Sequence, residues 1–395
     1  VTSDRRWIGV ALAVHLVTAV VPVGRELAAA RGSGDFASYY YATQAAQAGQ
    51  DPYDVRALSE RSRKDGSRRT VQPFYYPPAF LITQLWAPLF SLKVAQWGML
   101  FFNEVALGAS LLLLRRFGVG VPAIALMLAT FTPISENLRM LQANFLTLAL
   151  LLAGLAVPRL VALVGAAAML KMSPALLLLD LARRRRWRDI VIVCAFAAAL
   201  GVVSLLLVGA PFQQRFYLEI LPGFLRGAYH GIELPIHFPG NHSIPDAFAR
   251  IWPARHPSQL SLEARIGSRV FSAAMLGLWA WRAGRVDGPR AIGALLVLMT
   301  LMPTFTWEPH LVFLLLPLGL LLTGDNGGFP ARGLFLYALI AYPLGWVHGA
   351  LEDYKLLGEV LHTFKTTGAL LLFVAMLYPR SRAISAIPSQ IQGAP

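Results

Sequence analysis

Asp35 is the acidic residue best placed for acid–base chemistry. It stands in Gly34-Asp35-Phe36-Ala37-Ser38-Tyr39-Tyr40-Tyr41, directly after an apolar run from Trp7 to Ala30 that is long enough to cross a bilayer. A carboxylate at such an edge is solvated enough to ionise and close enough to act as a general base on a substrate held in lipid. The same position also suits a helix N-cap, and the residues alone leave both readings open. Lys171 sits at a break, Met172-Ser173-Pro174, within an apolar stretch. An intramembrane lysine requires an anion, which a lipid phosphate supplies; a lysine snorkelling to the surface is the alternative. Gln142 and Asn144, near a helix start and beside Glu136, Asn137 and Arg139, either face a pocket or hydrogen-bond neighbouring helices. Trp307 and His310 share the turn Thr306-Trp307-Glu308-Pro309-His310, and Asn241 and His242 lie in a long proline- and glycine-rich loop. Arg61, Arg63, Lys64, Arg68 and Arg69 form a basic cluster that either attracts a phosphate or is a solvated loop. His230, His237 and His242 invite a metal, but their spacing is not that of a helical or zinc-finger pair. Acceptor binding or a solvated loop fits them better.

The elements that must position these groups are membrane helices. Of the 395 residues 56% are hydrophobic and 14% charged, with mean hydropathy +0.55; a soluble domain carries roughly 25% charged residues. Apolar runs of about 20 residues recur along the chain, which predicts an all-α polytopic bundle of about 10–12 transmembrane or re-entrant helices. The net charge of +14 falls mostly in short loops between spans. The positive-inside rule accounts for it without nucleic acid. Cys194 is the single cysteine, which excludes an intrachain disulfide. The first apolar run reads as a retained span and not a removed signal peptide.

One membrane domain over residues 1–380 is expected, with two long extracytoplasmic loops, 31–78 and 210–263, and a disordered cytoplasmic tail over 381–395. Residues Ala37 to Ala48 are expected to form a helix lying on the membrane, with its tyrosines at the interface. Phe74 and Tyr75 read as interface anchors; Tyr76 reads as either an anchor or part of a sugar platform. Val121 to Ser135 reads as a single span. Leu160 to Ala182 is the difficult segment, because both its ends read as cytoplasmic; it either dips in and returns, or an earlier span is misplaced. In this topology the Asp35 edge, the Gln142/Asn144 turn, the second loop and the His310 turn open on one face, at the plasma membrane's outer side.

These motifs, in order, resemble glycosyltransferase family 87. The resemblance is carried by Gly34-Asp35-Phe36 with Tyr39-Tyr40, by Gly49-Gln50-Asp51-Pro52-Tyr53 and by Tyr76-Pro77-Pro78. It continues through Gln142-Ala143-Asn144, Lys171-Met172-Ser173-Pro174, Gly240-Asn241-His242-Ser243 and Pro303-Thr304-Phe305-Thr306-Trp307-Glu308-Pro309-His310. The chain departs from the family pattern twice. Leu141 stands where a glycine is expected before Gln142, and Pro309 where a histidine is expected before His310. The resemblance implies a GT-C membrane enzyme that moves a sugar, mannose by likeness to the actinobacterial phosphatidylinositol mannoside mannosyltransferases, from a polyprenyl-phosphate donor to a lipid or glycan acceptor. It implies Asp35 as base with His310 assisting, Lys171 at the donor phosphate, and Tyr39, Tyr76, Gln142, Asn144, Asn241, His242 and Trp307 as substrate contacts; Arg68 and Arg69, from the basic cluster and not from the family motifs, are expected to join Lys171 at the phosphate. The chemistry asks for no metal or cofactor. A single displacement by one base inverts the anomeric carbon, and a donor already activated by phosphate explains why no phosphate-cradling glycine loop is present. A transporter or flippase of lipid-linked sugars is the alternative. It predicts repeated halves with matched broken helices, whereas the sequence shows one break, at Met172-Ser173-Pro174.

Overall fold

The structure, a computed structural model, describes residues 2–29, 34–66, 71–226, 236, 240–324, 328–343 and 355–379. Arg68, Arg69, His230 and His237 lie outside the described residues, as does the tail beyond residue 379. Among the described residues the regular elements are all helical and no strand occurs. That is the outcome expected where lipid offers no partner to backbone N–H and C=O groups.

Among the described residues three helices are long and apolar enough to cross a membrane: Asp4–Ala28, Leu92–Phe117 and Trp187–Val208. Their apolar flanks are bare. Leu12, Leu112, Val191 and Leu206 are exposed, Leu206 by 79%, as side chains facing lipid would be. The expected single span from Val121 to Ser135 is instead a pair, Val121–Thr130 and Thr132–Met140, bent by 53°. The break falls at Phe131, whose backbone is extended, and Pro133 sits in the first turn of the second helix, where its missing N–H is tolerated; farther inside a continuous helix it would lose a hydrogen bond and clash with the preceding turn. Asn144–Ala156, Gly288–Leu301, Glu308–Leu322, Ala331–Ala341 and Thr363–Leu377 are apolar but shorter. At about 1.5 Å per residue they fall short of a hydrocarbon core about 30 Å thick.

The segment Leu160 to Ala182 dips in and returns. Helix Ala162–Leu170 rises beside Asn144–Ala156, the chain breaks at Lys171 (φ −153°, ψ 72°), and Ser173–Leu177 and Leu178–Arg183 lead back. Lys171 meets Asn144, at one end of Asn144–Ala156, whereas Arg184 bonds the carbonyl of Gly288. Gly288 opens the helix Gly288–Leu301, whose far end, at Met299 and Thr300, lines the cavity described below. The tip of the hairpin therefore lies at the cavity and its feet at the opposite end. Glycine makes this close packing possible. A Cβ on Gly165 would lie 2.5 Å from the Val193 carbonyl, so the rising limb sits directly on Trp187–Val208.

Three further expectations are corrected. The helix after the first span is Gly34–Gln47, but Tyr39, Tyr40 and Tyr41 are buried at 2%, 4% and 0% exposure and do not sit at an interface. Tyr40 donates to the Phe90 carbonyl, and Tyr39 packs edge-on to Tyr76 and Phe80. Phe74 is likewise no anchor: it is buried against Tyr53, Tyr76 and Phe80. Aromatic rings satisfy one another here more completely than a membrane interface would. The loop 210–263 is also more regular than its composition suggests. It opens with an unbroken helical run from Ala210 to Arg226 and carries a second helix, Ile244–Ile251.

Candidate active site

A cavity of about 700 Å³ lies where the hairpin tip, the Gly34–Gln47 helix and the Thr304–His310 turn converge. Asp35, Tyr39, Tyr76, Gln142, Lys171, Trp307 and His310 all line it. These residues come from five separate stretches of chain, and the fold brings them to one space.

Asp35 lies inside the first turn of Gly34–Gln47, where the unpaired backbone N–H groups favour a negative charge. Its carboxylate accepts from Gln142 Nε2. Burial holds its carboxyl above the ordinary value of 3.8, opposed in part by the Gln142 hydrogen bond and by the charges of Lys171 and Arg139. The side chain is thus turned to the cavity and engaged there.

The amide of Gln142 has one orientation. Because its Nε2 donates to Asp35, its Oε1 is left to accept from Asn144 Nδ2 at 2.7 Å. Asn144 Nδ2 also lies 2.9 Å from Asn137 Oδ1 and 3.2 Å from the Pro309 carbonyl. Asn144 Oδ1 is then the acceptor for Lys171 Nζ at 2.6 Å. A continuous chain, Asp35–Gln142–Asn144–Lys171, links the carboxylate to the ammonium. Asn144 is buried at 1% exposure and does not line the cavity; it holds other side chains from behind.

The turn that aims Gln142 explains the missing glycine. Leu141 has φ +50° and ψ 41°, in the left-handed region where glycine is at ease and a side chain costs roughly 1–2 kcal/mol. Leu141 is fully buried, and its burial offsets that strain. The position requires a left-handed residue, and this chain meets the requirement without glycine.

Tyr39 Oη donates to Tyr76 Oη at 2.7 Å, one helical turn from Asp35. Burial raises both phenols well above their usual range, so they stay protonated and present hydroxyls to the cavity. Lys171 Nζ lies 6.0 Å from the Tyr76 ring centroid and 5.7 Å from that of Phe313. The His310 ring is held by backbone: Nδ1 faces the Trp307 N–H at 3.3 Å, and a further bond joins it to Phe305.

Asn241 and His242 are placed differently. Both are buried and neither lines the cavity. Asn241 donates to the Thr304 and Ile236 carbonyls and accepts from the Thr306 N–H, while the His242 N–H donates to the Thr306 carbonyl. They clamp the loop to the turn that carries Trp307 and His310.

The sequence reading missed the group behind that turn. Glu308 accepts from Lys365, lies 3.2 Å from His242 Nε2 and 3.3 Å from Thr132 Oγ1. Lys365 is fully buried in the last helix, Lys355–Leu377, and also donates to the Tyr342 carbonyl at 2.7 Å. A lysine in an apolar helix was the available signal, but its partner lies 57 residues away. Arg265 and Arg269 were missed too: both line the cavity from the helix Leu262–Arg282.

In comparison with known proteins, the family model described as Glycosyltransferase family 87 matches residues 74–317. No curated protein and no solved structure matches the chain. The matched stretch includes Tyr76, Gln142, Asn144, Lys171, Asn241, His242, Trp307 and His310, and begins after Asp35 and Tyr39.

Proposed function

Because the chain belongs to glycosyltransferase family 87, we propose that this glycosyltransferase moves mannose from a polyprenyl-phosphate donor to a hydroxyl of a lipid or glycan acceptor, with inversion, on the outer face of the plasma membrane. The observation that carries the proposal is the cavity that joins a carboxylate, Asp35, to an ammonium, Lys171, through two oriented amides. Asp35 removes the acceptor proton as its oxygen attacks the anomeric carbon. The bond from that carbon to the phosphate oxygen breaks, and the electron pair leaves with the phosphate. Lys171 faces the departing charge. His310, its ring fixed by the backbone, assists at the same wall, with Tyr39, Tyr76 and Trp307 offering hydroxyl, indole and ring surfaces to the sugar. Gln142 orients the base.

The side of action is supported by charge. Arg183, Arg184, Arg282 and Arg285 cluster at the end away from the cavity, around Gly288. Positive residues mark the cytoplasmic side, which turns the cavity outward. The predicted product is an α-glycoside from a β-linked donor. Purified protein given labelled β-mannosyl polyprenyl phosphate and a membrane lipid extract should yield an α-mannosyl product, read by anomeric NMR coupling. A β-product would eliminate single displacement. Transfer from a nucleotide sugar without the polyprenyl lipid would eliminate the donor class.

A further inference from the structure

We propose that Arg265 forms a second anion site in the cavity, separate from Lys171, which takes the phosphate group of a lipid whose chain runs along the helix Leu262–Arg282. The ligand is a phosphate mono- or diester on a hydrocarbon anchor; the reading as a glycosyltransferase supplies only the expectation that such lipids visit the cavity. Arg265 is half-buried and lines the cavity, and its guanidinium forms no ion pair or hydrogen bond among the described residues; only its backbone is bonded, to Ser261 and Ser268. The cavity it lines has mostly apolar walls, including Phe216, Leu221, Phe224 and Leu276. A guanidinium in such a wall gains from any anion that presents paired oxygens, and phosphate fits its fork.

The helix itself supplies the second observation. Arg265, Ser268, Ser272, Ala273 and Leu276 line the cavity at helical spacing, and Arg269 lies beside them. On the adjacent flank of the same helix Leu262, Ile266 and Val270 are more than half exposed, as lipid-facing residues would be. The helix is thus a single wall between bilayer and cavity. Its arginine-bearing end lies far from the end with the cytoplasmic arginines: Trp279, near that other end, bonds Ala291 at the start of Gly288–Leu301, opposite the cavity. Small and apolar side chains then follow the arginine inward. A phosphate held at Arg265 therefore leaves its hydrocarbon chain along Ser272, Ala273 and Leu276, in the direction of the membrane interior. Lys171 stands on a different element, the hairpin tip, and is already bonded to Asn144. Two cations on two walls suit two phosphate groups better than one.

The test measures lipid binding to the full chain in detergent by native mass spectrometry, and needs no catalysis. The probes are decaprenyl phosphate and dioleoyl phosphatidylglycerol, with decaprenol and dioleoylglycerol as uncharged controls. Arg265→Gln should weaken one phosphate lipid roughly tenfold, the effect of losing one charge-assisted hydrogen bond, and leave both controls unchanged. Arg265→Lys should keep part of the affinity, which separates the charge from a folding defect. Loss confined to decaprenyl phosphate assigns the site to the donor side, and loss confined to phosphatidylglycerol assigns it to an acceptor. Unchanged binding of both phosphate lipids by Arg265→Gln would overturn the site. So would equal weakening of the uncharged controls. Either result leaves the role of Asp35 untouched.

Discussion

At the scale of single residues, the central fact is that Asp35 is held ionisable but uncomfortable. Its carboxyl lies above the ordinary 3.8, chiefly because it is buried. Catalysis by the carboxylate is therefore expected to fail on the acid side at a pH above 3.8, and a pH–rate profile in detergent reads this directly. The sign for stability is the reverse of a salt-bridged aspartate. Below 3.8 the group is protonated in both folded and unfolded chains and costs nothing. The cost appears as pH rises towards the folded value and is complete above it. Asp35→Asn should thus keep or raise the melting temperature at neutral pH, with the difference fading in acid; a lower melting temperature at neutral pH would contradict the assignment. Asn144 is the residue whose role the fold alters most. In the sequence its spacing allowed either a pocket or a neighbouring helix. It is buried among Gln142, Asn137, Pro309 and Lys171. Asn144→Ala should cost about 1–3 kcal/mol in chemical denaturation, since it leaves buried partners unsatisfied, and should lower activity by misplacing Lys171. Asn144→Asp should not restore that activity fully, because a carboxylate cannot donate to Gln142.

At the scale of elements, the re-entrant hairpin decides whether the site exists. Its ends, Pro158-Arg159 and the arginines from Arg183 onward, were legible as sharing one side of the membrane, and Met172-Ser173-Pro174 as a break. The choice between a dip and a misplaced span was not legible. It depends on packing between Ala162–Leu170 and Trp187–Val208, which composition does not encode. Gly165 is the physical signature of that packing. Gly165→Ala is expected to destabilise by about 1–3 kcal/mol, the usual cost of overpacking, because the clash is with backbone and cannot be relieved by a side-chain rotation. An unchanged melting temperature would mean that the two helices are farther apart than described. The tyrosines teach a related lesson. Their run near a span read as an interface belt, since both an interface and a buried aromatic cluster favour rings with one polar tip. Only the partners, Tyr76, Phe80 and Phe90, distinguish the two.

At the scale of the whole molecule, the cavity is closed from behind by a buried ionic hub that no local pattern announces. Glu308, Lys365 and His242 tie the last helix and the second loop to the turn that carries Trp307 and His310. Lys365→Met should cost about 3–5 kcal/mol, the penalty for leaving a buried charge without its partner, and thermal melting in detergent measures it. The all-helical class and the meeting of the Asp35 edge with the Gln142 and His310 turns could be read from the sequence, because apolar length and polar breaks are local signals; that Lys171 joins them at the cavity, and that Asn241 and His242 of the second loop do not, could not. The hub and the roles of Asn241 and His242 could not, because each depends on a partner far along the chain, and the arginines of Leu262–Arg282 could not, because only packing decides which flank of that helix faces the cavity. The account as a whole rests on Asp35, which lies outside the residues matched by the family model. The most direct measurement is transfer of labelled mannose from a polyprenyl-phosphate donor into a membrane lipid extract, by the native chain and by Asp35→Asn, both checked for equal folding. Label in a new product with the native chain and loss of at least about a hundredfold with Asp35→Asn is the predicted result. Equal transfer by both proteins would remove Asp35 from the reaction and with it the mechanism described.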